Sequence, residues 1–301
     1  MGARGRAPFA LAAVAGLLLV LLPLTVALAA PAVTLIGDDE RVFVIAEAAA
    51  GEQAQIRREG GIDELDAVNA GVLLRSPAPG TGITAVADLL QITDIALIVM
   101  DSTVGPTAAI REQLLVARQA RVPMLALLLT NVERLHARAP EESAGLLELE
   151  IQELRALLAS YALDSDTVGV YYDAALPEPA DGVNAFGIRE SLRSLAHFLP
   201  RRVRSGEPRP VSEVWSAVYL LTEREADGHA VTLAPRDSIV LWSEGTRSRA
   251  TLDSVSEYHP GEFREMKLAL ETPVRAMEGS RILLVRGERV VGLGAVTEIK
   301  H

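Results

Sequence analysis

The chain has 301 residues, of which 49% are hydrophobic and 23% charged, enough for one large packed domain or two ordinary ones and too apolar for a disordered chain. Its formal net charge of −11 argues against broad binding to a phosphate backbone. Cysteine is absent, which excludes disulfides, thiolate nucleophiles and Cys-based metal sites, and Lys267 and Lys300 are the only lysines.

In chain order, the first element is a membrane signal. Arg4 and Arg6 precede an uncharged run from Pro8 to Ala30. That run is long enough to cross a hydrocarbon core of about 30 Å as a helix. Ala27-Leu28-Ala29 also has the small-x-small form of a cleavage site. Residues 1–32 therefore read as a transmembrane anchor or a cleaved signal. Positive charge lies before the run, and Asp38, Asp39 and Glu40 follow it. The rest of the chain is then expected outside the cytoplasm, anchored or secreted.

Over 33–200, short apolar runs alternate with amphipathic stretches. Strands are expected at 41–46 (RVFVIA), 70–76, 94–101, 123–129 and 167–173. Several are apolar at consecutive positions, as parallel strands buried on both faces require. Helices are expected over 107–120, 140–163 and 186–199. The first aligns Ile110, Leu114 and Ala117, the second Leu147, Ile151, Leu154 and Leu158, and the third Ile188, Leu192, Leu195 and Leu199. This alternation predicts a doubly wound α/β domain. Residues 201–210, rich in Pro, Gly and Arg, read as a solvated linker. From 211 to 301, short runs at 216–222, 237–243, 264–271, 281–287 and 289–299 predict a small β-barrel.

The residues limit the chemistry. A phosphate-binding loop needs glycines, a lysine for the phosphate oxygens and a hydroxyl for magnesium. Both lysines lie in the C-terminal region, so no such loop exists. The first strand zone offers Asp38, Asp39 and Glu40 instead, which repel a triphosphate. The five histidines, His136, His197, His229, His259 and His301, have no metal-ligand spacing. There is no G-x-S-x-G nucleophile elbow. Residues 141–153 read as a solvated acidic helix face. Asp101 falls at the carboxyl end of a central strand, where open α/β sheets bind ligands.

Four stretches carry a family likeness: 94–123, with Gly105-Pro106 and Arg111-Glu112; 146–163; SAVYLLTEREADGH (216–229); and 282–299, with Arg289, Gly292 and Gly294. On these residues the chain resembles elongation factor Tu and its translational GTPase relatives. The resemblance implies a P-loop-GTPase-like α/β domain at 33–200 and a barrel like that family's C-terminal domain at 211–301. The linker leaves no room for the family's middle barrel.

The resemblance also places a guanine motif at Thr130, Asn131, Val132 and Glu133, and magnesium and switch positions at Pro77, Gly80 and Thr81. In both places the pattern has decayed. Glu133 replaces an Asp and is one methylene longer. A one-residue slide puts Arg134 there, and a guanidinium cannot accept a hydrogen bond from guanine. Pro77 replaces the magnesium-holding Asp and Thr81 the water-ordering His. Asp173-Ala174-Ala175 stands where the family has Ser-Ala. His229 matches a barrel position and is expected to make a structural hydrogen bond. These losses imply a pseudo-GTPase without cofactor that acts as a binding or scaffold module. Its protein partner would use the barrel, the membrane would be met through residues 8–30, and tRNA would not bind. The alternative is a divergent GTPase of the translation-factor kind, facing the cytoplasm and using GTP or GDP with magnesium. A third reading displays the barrel as an adhesion module, with the α/β domain as a spacer.

Overall fold

The computed structural model describes residues 30–38, 42, 45, 48, 56–59, 62–67, 71–78, 80–163, 165, 168–176, 183–185, 187–197 and 206–300. The expected leader helix and residues 201–205 of the expected linker lie outside the described residues. Among the described residues, no helix is long and apolar enough to cross a membrane.

The N-terminal part is an α/β sheet. It comprises β1 (Ala32–Gly37), β2 (Ile56–Glu59), β3 (Ile62–Ala67), β4 (Val72–Pro77), α1 (Ile83–Gln91), β5 (Ile95–Asp101), α2 (Ala108–Gln119), β6 (Met124–Thr130), α3 (Val132–Arg138), α4 (Ser143–Ser160), β7 (Gly169–Tyr172), β8 (Val183–Asn184) and α5 (Ile188–Leu195). The strand order is β2-β3-β4-β1-β5-β6-β7-β8. The strands from β4 to β8, with β1 among them, are parallel, and β2–β3 is an antiparallel hairpin paired onto β4. β1 and β5 are buried along their whole length, which explains why they are apolar apart from Thr34 and the terminal Asp101. One face packs Val42, Ile45, Leu192 and Leu195 against Leu35, Leu74 and Leu97. The other receives α1, α2 and α4 through residues such as Leu90, Leu114 and Leu154.

One strand assignment fails. Within the run expected as a strand at 41–46, the described residues Val42 and Ile45 are helical, and the Val42 N–H donates to the Asp38 carbonyl at 2.9 Å. Both are buried, and their spacing of three suits one helix face better than alternate strand positions. The first strand is 32–37, just upstream.

The C-terminal part is a closed antiparallel barrel. Its strands are β9 (Arg209–Leu220), β10 (Ser238–Ser243), β11 (Thr246–Leu252), β12 (Phe263–Ala276), β13 (Arg281–Arg286) and β14 (Arg289–Lys300), in the order β10-β11-β12-β9-β14-β13. β9 starts inside the segment read as a linker. β11 has no counterpart in the sequence reading. Its buried positions Ser248, Ala250 and Leu252 alternate with exposed Arg247 and Arg249, so small inward side chains leave a weak hydrophobic signal. At Gly294 a Cβ would overlap the Ala217 carbonyl of β9, so the β14–β9 approach requires glycine.

Sheet and barrel share a core. The cluster that holds α1, α2 and α4 runs on into Leu221, Trp242, Leu283, Val285, Val290 and Leu293. Polar clamps cross the seam. The Gln119 amide donates to the carbonyls of Ile282 (2.7 Å) and Gly294 (3.1 Å). Glu112 accepts from Arg289 (3.1 Å) and from the Val290 N–H (2.7 Å). The Trp242 indole N–H donates to Asp88 at 2.6 Å. Burial raises the Asp88 carboxyl above its ordinary range, against the opposing pull of Trp242 and Arg247.

Candidate functional site

Chain order reverses between β1 and β5: the chain leaves β1 for β4 on one side and leaves β5 for β6 on the other. Ligands of open α/β sheets bind at such a point, beyond the carboxyl ends of the strands. Here those ends present Gly37-Asp38 from β1, Asp101 from β5, Thr130-Asn131 from β6 and Asp173 after β7.

At the end of β1 the backbone is already engaged. The Gln113 side chain accepts from the Gly37 N–H at 2.6 Å and donates to the Gly37 carbonyl at 3.0 Å. A Cβ at Gly37 would overlap the Val99 carbonyl. Asp38 accepts from the Thr107 hydroxyl at 2.8 Å, and that hydroxyl also accepts from the Ile110 N–H at the start of α2. A side-chain amide and a carboxylate thus stand where an incoming phosphate would need free N–H groups and positive charge.

The other strand ends form one hydrogen-bonded network. Asp101 is buried. One of its oxygens accepts from the Thr103 N–H (2.9 Å) and hydroxyl (2.7 Å), and the other from the Asn131 side chain (2.8 Å). Asn131 has a left-handed backbone (φ 60°), a conformation that Asn tolerates better than most residues. Its N–H donates to Asp173 at 2.8 Å, and the Val132 N–H donates to the same carboxylate at 3.4 Å. Asp173 therefore caps α3 in place of Asn131, whose side chain makes no cap bond. Burial raises the Asp173 pKa, partly offset by those two N–H donors.

Glu150, on α4, adds a further carboxyl. Burial first, then Asp101 and Glu153, push its pKa up to about 8. Its Oε2 atom is buried and has no hydrogen-bond partner among the described residues. Burial, and secondly the negative charge of its neighbours, favour the protonated form of this carboxyl. Among the described residues no group of three or more His, Asp or Glu side chains is arranged to hold a metal ion.

The structure gathers the positions expected, from the resemblance, to form a guanine motif only in part. Thr130 is buried and its hydroxyl donates to the Met100 carbonyl at 3.2 Å. Asn131 ties β5 to β7 through Asp101 and Asp173. Glu133 is exposed on the first turn of α3. Pro77, Gly80 and Thr81 lie elsewhere, at the end of β4. Gly80 takes φ 76° and the Thr81 N–H closes a turn onto the Ala78 carbonyl. That turn leads into α1, where Gly82 lies against the Glu288 carboxylate of the barrel.

Asp101 serves the loop after β5, where Thr103 and Asn131 bond its carboxylate. His229 is exposed, and its backbone N–H donates to the Ala226 carbonyl at 2.9 Å. Sequence reasoning also missed Gln113, Thr107 and Glu150. Gln113 carried the one available signal: a polar residue between Ile110 and Leu114 on the apolar side of a helix. No known protein-family model matches the chain.

Proposed function

We propose that the protein is an elongation factor Tu-like pseudo-GTPase, a binding or scaffold module that does not hydrolyse GTP. The observation that carries this reading is the occupied end of β1. Gln113 satisfies Gly37, Asp38 places a carboxylate beside it, and the chain's lysines lie in the barrel. At about 4 Å, and with the effective dielectric near 20 that suits protein surfaces, one misplaced unit charge costs about 4 kcal/mol. A triphosphate would meet that repulsion from Asp38 with no ammonium to offset it.

The α/β sheet followed by a closed barrel is consistent with the family that the sequence resembles. Asn131 ties neighbouring strand ends through Asp101 and Asp173. Asp173 spends the N–H groups of Asn131 and Val132 on internal bonds. The partner is a protein that docks on the barrel, and the globular part acts outside the cytoplasm, anchored or released. That topology rests on the charge pattern around residues 8–30.

Equilibrium titration of fluorescent GTP and GDP, with magnesium, against the purified protein tests the reading. No saturable binding is expected up to millimolar nucleotide. A dissociation constant in the micromolar range overturns it.

A further inference from the structure

The chain enters the fold at the amino edge of the sheet, opposite the strand ends described above. Pro31 is the one residue between the run read as a membrane anchor, which ends at Ala30, and β1, which starts at Ala32. A residue spans at most about 3.6 Å. An anchor ending at Ala30 therefore holds the amino end of β1 at the surface from which it emerges. The entry is also bonded to the neighbouring strands. The Ala32 N–H donates to the Asp94 carboxylate and the Asp94 N–H to the Ala32 carbonyl, both at 2.9 Å, and the Leu73 N–H donates to the Pro31 carbonyl at 3.0 Å. Where β1 is placed, the amino ends of β4 and β5 are placed with it.

Beside that entry the edge exposes an apolar side chain. Ile92, two residues before Asp94, is 55% exposed, and its carbonyl accepts from Arg75 at 3.4 Å. Arg121, just before β6, is exposed two strands from β1, about 10 Å away. It gives one of its five N–H donors to the Gly279 carbonyl at 2.6 Å. His197 is exposed past the end of α5, where Ala196 lies against Gly71 at the start of β4. Of the acids here, Asp94 is engaged by the Ala32 N–H, and the exposed Glu278 adjoins Gly279. The opposite edge has the other sign. Asp38, Asp101, Asp173, Glu133 and Glu142 gather there, against Arg134 and Arg138 of α3. The seven residues of β5 separate the two edges by about 20 Å. That exceeds twice the screening length of about 8 Å at physiological ionic strength. With the amino edge on a bilayer, those carboxylates stand outside the field of anionic lipids; turned over, the sheet would bring them into it.

We infer that the amino edge of the sheet is a membrane-contact surface that lies on anionic lipid headgroups, with Ile92 in the interface and Arg121 on the headgroup phosphates, and that it holds the acidic edge away from the bilayer. An apolar side chain gains by entering the boundary between headgroups and acyl chains. An arginine supplies planar, charge-assisted donors to a phosphate. Each such charge near an anionic surface raises the docked population about fivefold. The proposal rests on the reading of residues 8–30 as an anchor, and it is independent of the nucleotide reading, which concerns the opposite edge.

The test reconstitutes the full chain into phosphatidylcholine vesicles with and without phosphatidylglycerol. The chain has no cysteine, so His197→Cys and Glu133→Cys each take a fluorophore at one edge only. Quenching by a lipid with a spin-labelled headgroup reads how near each edge lies to the bilayer. With phosphatidylglycerol, the label at 197 is expected to be quenched strongly and the label at 133 weakly. The contrast should shrink in phosphatidylcholine alone. Arg121→Glu is expected to lower the docked fraction at least about fivefold. Ile92→Asp changes an exposed side chain, should lower it similarly without moving the melting temperature, and decides the matter if Arg121→Glu disturbs the contact with Gly279. Equal quenching at the two positions, a contrast indifferent to phosphatidylglycerol, or one unchanged by Ile92→Asp overturns the proposal and leaves the anchor reading standing. Release of the chain from the vesicles by alkaline carbonate overturns both.

Discussion

The seam with the barrel and the carboxyl ends of the sheet are both built with buried polar groups, yet they use them in opposite ways. At the seam, Gln119 and Glu112 reach across to the carbonyls of Ile282 and Gly294, the N–H of Val290 and the side chain of Arg289. Those bonds join two parts of the fold around an apolar core. At the strand ends, Gln113, Asp38, Asp101, Asn131 and Asp173 bond to near neighbours in space and close the sheet on itself. The seam is organised to hold a contact, and the strand ends to satisfy their own donors. Stability requires both; binding a nucleotide would require the second region to be open.

Disturbing the barrel and its seam with the sheet should have the larger effect. Gly294→Ala, inside the barrel, drives a methyl group into the Ala217 carbonyl and is expected to cost about 3 kcal/mol, the upper range for overpacking. Chemical denaturation of the purified protein would measure it. Gln119→Leu leaves the carbonyls of Ile282 and Gly294 without the buried amide, with an expected cost of about 2–3 kcal/mol. Glu112→Ala removes the bonds to Arg289 and Val290 and should cost about 2 kcal/mol. A loss below about 0.5 kcal/mol in both Gln119→Leu and Glu112→Ala would show that the seam is a loose contact.

The strand ends should answer to pH. The Glu150 pKa is raised from 4.5 to about 8. Between those values the folded state holds a proton that the unfolded state releases, so stability falls as pH rises through that window. Glu150→Gln removes the titration. The variant should be more stable than the parent at pH 8.5, and the difference should close near pH 5. Discounted for the solvent that reaches this half-buried group, the effect is about 1 kcal/mol. Melting curves at the two pH values check it, and a difference independent of pH would contradict the assignment.

The sequence disclosed these regions unequally. β5, β6, α2 and α4 were legible because unbroken apolar runs and helical periodicity are local signals. Their meeting at the seam was not legible, since Glu112 reaches Arg289 from 177 positions away. The missing lysine at the end of β1 was legible because an absence needs no partner. What fills the space was not. Gln113 meets Gly37 from 76 positions away, and Asp173 meets Asn131 from 42. A buried polar side chain has no periodic signature, and its partner is fixed only by packing. The reading of 41–46 as a strand failed for a related reason. β-Branched residues at helical spacing fit either period over so short a run, and burial against the sheet decided it.

The central claim is that the carboxyl ends of this sheet hold no nucleotide. The most direct measurement is the melting temperature of the full chain with and without 1 mM GDP and magnesium. A ligand at about 100 times its dissociation constant adds about 2.7 kcal/mol of stability, several degrees for domains of this size. The account predicts no shift beyond that given by magnesium alone. An upward shift that grows with the logarithm of GDP concentration, and is absent with an equal concentration of inorganic phosphate, would contradict it.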